Sequence, residues 1–429
     1  MSKTFRSWNP DQSILFPPSV LDLVPPGHLA HFVRDTVAED LDLSEILGCY
    51  TEERGYPPYH PVMMTALLLY AYCQGIYSSR RMARACEERV DFMAVTARQQ
   101  PDFRTINLFR QRHLPALRGL FVQVLRLCQA AGLVKLGHVA LDGTKIRANA
   151  SKHKAMSYGR MKKAEPELAR EVQRWLREAE STDAREDEEY GPERRGDELP
   201  DWVQNKQQRL EKIRAAKAAL EAEAAAQHGP DDDADDPPPP PAETRQRNFT
   251  DPESRIMKGP DGFVQAYNTQ VAVDAEHQVI VAQLVTNQPT DVGHLPPLVA
   301  QIKTNTGRQA REVSADAGYC SESNLKELSR RHIQGYVATG RQKHGSHAAT
   351  GGRLGRCGNR VQAMRLKLER AGHRSRYRLR KQVVEPVFGT IKQARGFRQY
   401  LLRGLEKVAG EWSLICTAHN LRKLAAVRA

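Results

Sequence analysis

Apolar residues three and four apart run through the first 130 positions, punctuated by the paired prolines Pro17-Pro18, Pro25-Pro26 and Pro57-Pro58. That spacing predicts a succession of helices. Residues 60–74 carry Met63, Leu67, Leu68 and Tyr70 on one largely buried helix, and Ser78 and Ser79 offer an N-cap for a helix over residues 80–86. After Asp102, a helix through Arg110, Arg112 and His113 is expected to expose cations beside an apolar face that continues through Leu117, Phe121 and Leu125. Short basic helices in this order suit two arrangements: a helix-turn-helix-like DNA-binding unit, or a helical bundle with a solvated basic face.

From Leu133 the period changes. Residues 136–143 form a short apolar run that ends in Asp142 and a glycine, as in a buried strand that delivers one acid to a sheet edge; an Asp-Gly pair also suits a plain turn. Residues 152–247 interrupt the pattern. Met161, Leu168, Val172, Trp175 and Ala179 recur at helical intervals, as do Leu210, Ile213, Ala216 and Leu220, which predicts an antiparallel helical hairpin. The acidic run Asp231 to Asp236 and the prolines Pro237 to Pro241 then read as a solvated, extended linker. Alternation resumes over residues 263–274 and 279–285, an antiparallel hairpin that includes Asn268, a polar residue on an otherwise core-like strand. Asp291 stands where it can cap a helix through Leu295, Leu298 and Ile302. Residues 312–319 repeat the earlier device, an apolar strand ending in Asp316 and a nearby glycine, and a helix, a strand and a Gly/His/Arg-rich loop follow.

Residues 377–396 hold the third acid of interest. On a helix advancing about 100° per residue, Glu385 and Lys392 point the same way to within about 20°, with Lys381 about 40° off. Val384, Val387, Phe388 and Ile391 form a neighbouring buried stripe. Pro386 predicts that the helix starts or kinks there. Taken alone, Glu385 and Lys392 make a surface salt bridge.

The 429 residues, 40% of them hydrophobic, are enough for two or three domains, and the formal net charge of +13 favours a polyanion as partner. Seven scattered cysteines show no metal-ligand spacing and read as reduced thiols. No basic-then-apolar leader opens the chain, and the longest apolar run, residues 62–73, is too short for a bilayer, so a cytoplasmic protein with no membrane partner is expected.

Two acids at neighbouring strand ends and one on a packed helix are able to converge. Hard oxygen ligands of this kind suit Mg2+ or Mn2+, and a pair of such ions activates a hydroxyl on one side of a phosphate while stabilising the leaving oxygen on the other.

The chain resembles a DDE-type transposase of bacterial insertion sequences, from the branch with a helical N-terminal domain. The resemblance rests on Trp8-Asn9-Pro10-Asp11-Gln12, Leu141-Asp142-Gly143-Thr144-Lys145, Tyr267-Asn268-Thr269-Gln270, Ala315-Asp316-Ala317-Gly318-Tyr319 and Val384-Glu385-Pro386-Val387-Phe388-Gly389. It implies an α/β architecture with an RNase H-like mixed sheet flanked by helices, an all-α N-terminal domain over residues 1–130, a catalytic domain over residues 131–151 and 248–429, and the hairpin insertion and its linker over residues 152–247. It also implies a catalytic and metal-binding triad of Asp142, Asp316 and Glu385 holding Mg2+ or Mn2+, two ions in all. The DNA-contacting residues would be Lys381, Lys392, Tyr377 and Arg398, with Asn268 in support. In the family's signature around the Glu, Lys392 matches in spacing, Lys381 takes the place of an Arg, and Tyr377 stands one residue further from it than expected. The implied partners are the element's terminal inverted repeats, target DNA and further copies of the chain. A nuclease that cuts without joining, and a decayed copy that only binds DNA, are the alternatives.

Overall fold

The computed structural model describes residues 19–51, 58–190, 201–226, 240–259, 262–340, 350–351, 358–371 and 376–428. The motif at residues 8–12, the acidic run, the first prolines of the linker and most of the Gly/His/Arg-rich loop lie outside the described residues.

Helices α1 (Leu29–Asp35), α2 (Ser44–Leu47), α3 (Pro61–Cys73), α4 (Ser79–Glu88), α5 (Val90–Thr96), α6 (Phe103–Arg112) and α7 (Leu114–Ala130) come first. Asp102 caps α6 by accepting from the backbone N–H of Arg104 at 2.7 Å and of Thr105 at 3.2 Å. Helix α3 is buried nearly all round, with Leu67, Leu68, Leu69 and Tyr70 all fully inaccessible. Two cations expected on a solvent face are inside: Arg110 donates to the Tyr77 carbonyl and to Asn107 Oδ1, both at 3.0 Å, and buried His113 meets the Tyr50 hydroxyl. Loop residues Tyr50 and Tyr77 and Asn107 of the same helix partner these groups, leaving Arg110 Nε buried without a hydrogen bond, and only Arg112 of the three stays exposed.

Strand β1 (His138–Arg147) opens the sheet. The insertion follows as β2 (Ala155–Ser157), α8 (Tyr158–Tyr190), α9 (Asp201–Ala225) and β3 (Gln246–Asn248). The predicted hairpin is present, with its own small core of Tyr158, Met161, Ile213, Ala216 and Leu220; Trp175, expected on the same stripe, is 36% exposed. At the hairpin's base Glu223 accepts from Arg247 at 2.6 Å and from Arg255 at 3.1 Å, tying the arm to the sheet.

The remaining elements are β4 (Arg255–Gly259), β5 (Gly262–Asp274), β6 (Ile280–Thr286), α10 (Leu295–Thr306), β7 (Glu312–Ala315), α11 (Glu322–Arg330), β8 (Gln334–Val337), α12 (Asn359–Ala371), α13 (Leu379–Gly389) and α14 (Leu405–Arg428). The strand order is β4-β5-β1-β7-β8, with β6 also paired to β5, beyond β4 along the same edge. Pairs of β5 are antiparallel, whereas β1, β7 and β8 run parallel. A mixed sheet with helices packed on it is the architecture expected of an RNase H-like fold. One hydrophobic cluster spans α3, α7, the central strands and α14, whose Trp412, Leu414 and Leu421 are buried completely, so the N-terminal helices share a core with the sheet. Among the described residues no helix is long and apolar enough to cross a membrane.

Candidate active site

Asp142 lies mid-strand in β1, and β1 pairs in parallel with β7 so that His138, Val139 and Ala140 stand beside Glu312, Val313 and Ser314. Carried two residues further, this register sets Asp142 beside Asp316, although 173 residues separate them in the chain. Adjacent strands lie about 4.8 Å apart, within reach of two short side chains. Asp316 follows the end of β7 and caps a 3-10 turn (Ala317–Tyr319), its Oδ1 accepting from the Gly318 N–H at 3.0 Å. Asp142 Oδ1 accepts from the Gly143 N–H at 2.9 Å.

Helix α13 covers these acids and delivers a buried cation. Arg380 Nη1 lies 2.6 Å from Asp142 Oδ2, and its guanidinium sits 5.9 Å from the ring of buried Tyr377. Burial pushes the Asp142 carboxyl up to about 6; Arg380 opposes the shift and the neighbouring Asp316 adds to it. Asp316 is raised by burial too, with Arg380 opposing and Asp291 adding. Lys392 donates to Thr144 Oγ1 on the same face of β1, and burial lowers its pKa against the pull of Asp142. Exposed Arg398 braces that lysine by donating to its carbonyl at 3.2 Å.

Alternation along β1 turns Gly143 and Lys145 to the opposite face. There Asp291 Oδ1 accepts from Asn268 Nδ2 and Gln270 Nε2, both at 2.7 Å, and from Lys145 Nζ at 3.3 Å. Gln270 in turn accepts from the buried Tyr319 hydroxyl. A Cβ on Gly143 would run into the Gln270 amide and come within 3.1 Å of Asp291 Oδ1, and one on Gly318 would come within 3.0 Å of Asp291 Oδ2. Asp291 is therefore wedged against the backbone beside both acids. It caps no helix with its side chain, contrary to the expectation from its place before α10, and its Oδ1 instead takes two buried amides and half-buried Lys145. Asn268 thus stands behind the site through Asp291.

Glu385 is on α13 but exposed, with no hydrogen bond or ion pair among the described residues. No group of three or more His, Cys, Asp or Glu side chains able to hold a metal ion occurs among the described residues. Asp142 and Asp316 are brought together; Glu385 is not brought to them. Helix α13 runs through Pro386 instead of starting there. The carbonyl that Pro386 cannot serve, that of Gln382, accepts from Gln278 Nε2 at 3.1 Å. A π-helical turn (Thr390–Ala394) follows; Lys392 within it reaches Thr144 of β1, whereas Glu385 is exposed.

Lys381 is exposed, and the preceding residue, Arg380, is the cation that turns inward to Asp142. Arg380 stands three residues after Tyr377, which removes the one-residue excess in the expected spacing. Tyr377 itself is buried beneath Arg380. Sequence reading therefore missed Arg380, whose signal was that spacing. It also missed the roles of Asp291, Lys145 and Gln270, which no local pattern marks.

Two carboxylates that burial and mutual repulsion bias toward the protonated form would be returned to their usual range by a cation between them. This donor set fits a hard divalent ion, with Asp142 and Asp316 as its holders.

Comparison with known families finds two matches. Residues 18–112 match the model of a transposase domain (DUF772), and residues 240–421 match that of the transposase DDE domain. The second match takes in Asp291, Asp316, Arg380, Glu385 and Lys392, whereas Asp142 lies ahead of it, across the insertion. Neither the curated proteins nor the solved structures contain a match.

Proposed function

Because the chain is a DDE-type insertion-sequence transposase, an enzyme of DNA cleavage and transposition, we propose that Asp142, Asp316 and Glu385 are its catalytic acids and that Mg2+ or Mn2+, two ions in all, is its cofactor. The observation that carries this reading is the in-register placement of Asp142 beside Asp316. Such ions, when bound, lower the pKa of an attacking water or hydroxyl and stabilise the leaving oxygen. The chain's own groups do the rest. Asp142 and Asp316 hold the charge that attracts the ions, and Arg380 keeps Asp142 ionised at neutral pH. Lys392, with Lys381 and Arg398 near it, holds the phosphodiester backbone; Tyr377 orients Arg380 from beneath. Glu385 lies five residues beyond Arg380 on the helix that packs on both acid-bearing strands.

The reaction we infer is hydrolysis at the terminal inverted repeats, followed by attack of the freed 3′-hydroxyl on target DNA. Two or more copies assembled on the paired ends, acting on DNA in the bacterial cytosol, complete the reading. Residues 1–130 are proposed to recognise the repeats, residues 131–151 and 248–429 to cut, and residues 152–247 to form an inserted arm. A cleavage and joining assay on the DNA ends flanking the gene, with Mg2+ present or chelated and Asp316→Asn as control, tests it. Metal-dependent cutting and joining, both lost in the variant, is the expected result. Cutting without joining makes the protein a nuclease, and binding without either makes it a DNA-binding protein alone.

A further inference from the structure

The ion pairs of the inserted arm are lopsided. Its cross-helix bridges set acids of α8 against bases of α9: Glu165 accepts from Lys217 at 2.8 Å and from Arg214 at 3.3 Å, and Glu171 accepts from Lys206. Four bases of α8 take no part in them. Arg160, Lys163, Arg170 and Arg177 are all exposed, and none has an acidic partner among the described residues. With Arg174, which stacks on Trp175 at 5.9 Å, they occupy a sector of about 100° on the helix, roughly 135° round from the apolar positions Met161, Ala164, Leu168 and Val172. Between Arg160 and Arg177, Glu167 is the one acid within that sector. The helix runs unbroken through Pro166, so the row of charges extends about 26 Å.

The arm is also aimed. Strand β1 continues five residues past Asp142, to Arg147, in the direction in which parallel β7 ends just before Asp316, and α8 follows within eleven residues. It rises from the end of the sheet that carries the acids.

We propose that this face of α8 is a track for the phosphate backbone of duplex DNA adjoining the point of cleavage. Charge complementarity chooses the occupant: four cations along about 26 Å match the phosphates of about seven base pairs at 3.4 Å each, and nothing on that face among the described residues offers an apolar seat to a protein partner. The proposal rests on DNA being the substrate and not on which acids cut it, so binding is measured with full-length protein in EDTA, where cutting does not enter.

The test compares the parent with R160Q/K163Q/R170Q/R177Q on a duplex of the element's end and flank, with R209Q/K212Q on the exposed side of α9 as the charge control. The salt dependence of log K is expected to become shallower by about 3 to 4 in the quadruple variant, with about tenfold or greater loss of affinity at moderate salt. Hydroxyl-radical protection should be lost over about seven base pairs at one flank, while the far-UV circular dichroism stays that of the parent. The control should keep both slope and footprint. An unchanged slope and footprint in the quadruple variant overturns the proposal, as does an equal loss per charge in the control, or a parent that binds no DNA.

Discussion

Arg380 Nη1 lies 2.6 Å from Asp142 Oδ2, so a helix hands a buried guanidinium to an acid in the middle of the sheet. Without it, burial and the adjoining Asp316 would leave Asp142 protonated to still higher pH. A divalent ion must displace that proton, so its affinity should fall by about tenfold per pH unit below about pH 6. In Arg380→Gln the break should move to higher pH. Calorimetric titration of Mn2+ across pH 5 to 8 checks this, and a break that stays in place in the variant contradicts the role given to Arg380.

The Asp142→Asn protein should be catalytically dead yet more stable at neutral pH. The folded-state pKa of Asp142 is raised above its usual 3.8 to about 6, so the acid's contribution to stability is fully present below about pH 4 and is lost as pH rises through 6. Asparagine carries no such titration. Above pH 7 the variant should gain about 3 kcal/mol, and near pH 3.5 the two proteins should be alike. Denaturant unfolding in EDTA at both pH values measures the difference; a variant weaker than the parent at pH 8 speaks against it.

Asp291→Ala removes the acceptor shared by Asn268, Gln270 and Lys145. Two buried amides each lose one of two acceptors, Asn268 keeping the Gln288 carbonyl and Gln270 the Asn268 Oδ1, at about 0.5–1.5 kcal/mol each. With both acids braced less firmly, cleavage should drop by about 10- to 100-fold while DNA affinity holds. Parent-like kcat in a folded Asp291→Ala protein would show that the network has no bearing on the chemistry.

Glu385→Gln is the counterpart. An exposed side chain with no partner among the described residues should cost less than about 0.5 kcal/mol when replaced. As a catalytic acid, however, Glu385 should lose nearly all cutting on substitution. Cleavage within tenfold of the parent would rule out Glu385 as the third acid.

The two acid-bearing strands and the inserted hairpin could be read in the sequence because their signals are local: an apolar run closed by Asp and a nearby Gly, and apolar residues at helical spacing. What escaped depends on residues far apart in the chain. Helix α13 passes through Pro386 because Gln278, 104 residues earlier, serves the carbonyl left over. Arg110 and His113 look like surface cations until Tyr77 and Tyr50 are folded against them. Lys381 occupies a position where an inward-facing Arg380 and a π turn, neither visible in a uniform helical projection, redistribute the charges.

The backbone ladder between β1 and β7 has a consequence for how such a chain is able to change. Since the β1–β7 pairing of His138–Ala140 with Glu312–Ser314 sets the spacing of the two aspartates, that spacing is not fixed by the length of the arm inserted between them in the chain. An arm of any length can be grown, trimmed or exchanged at that junction without retuning the chemistry, leaving DNA handling free to diversify around an unaltered cutting centre.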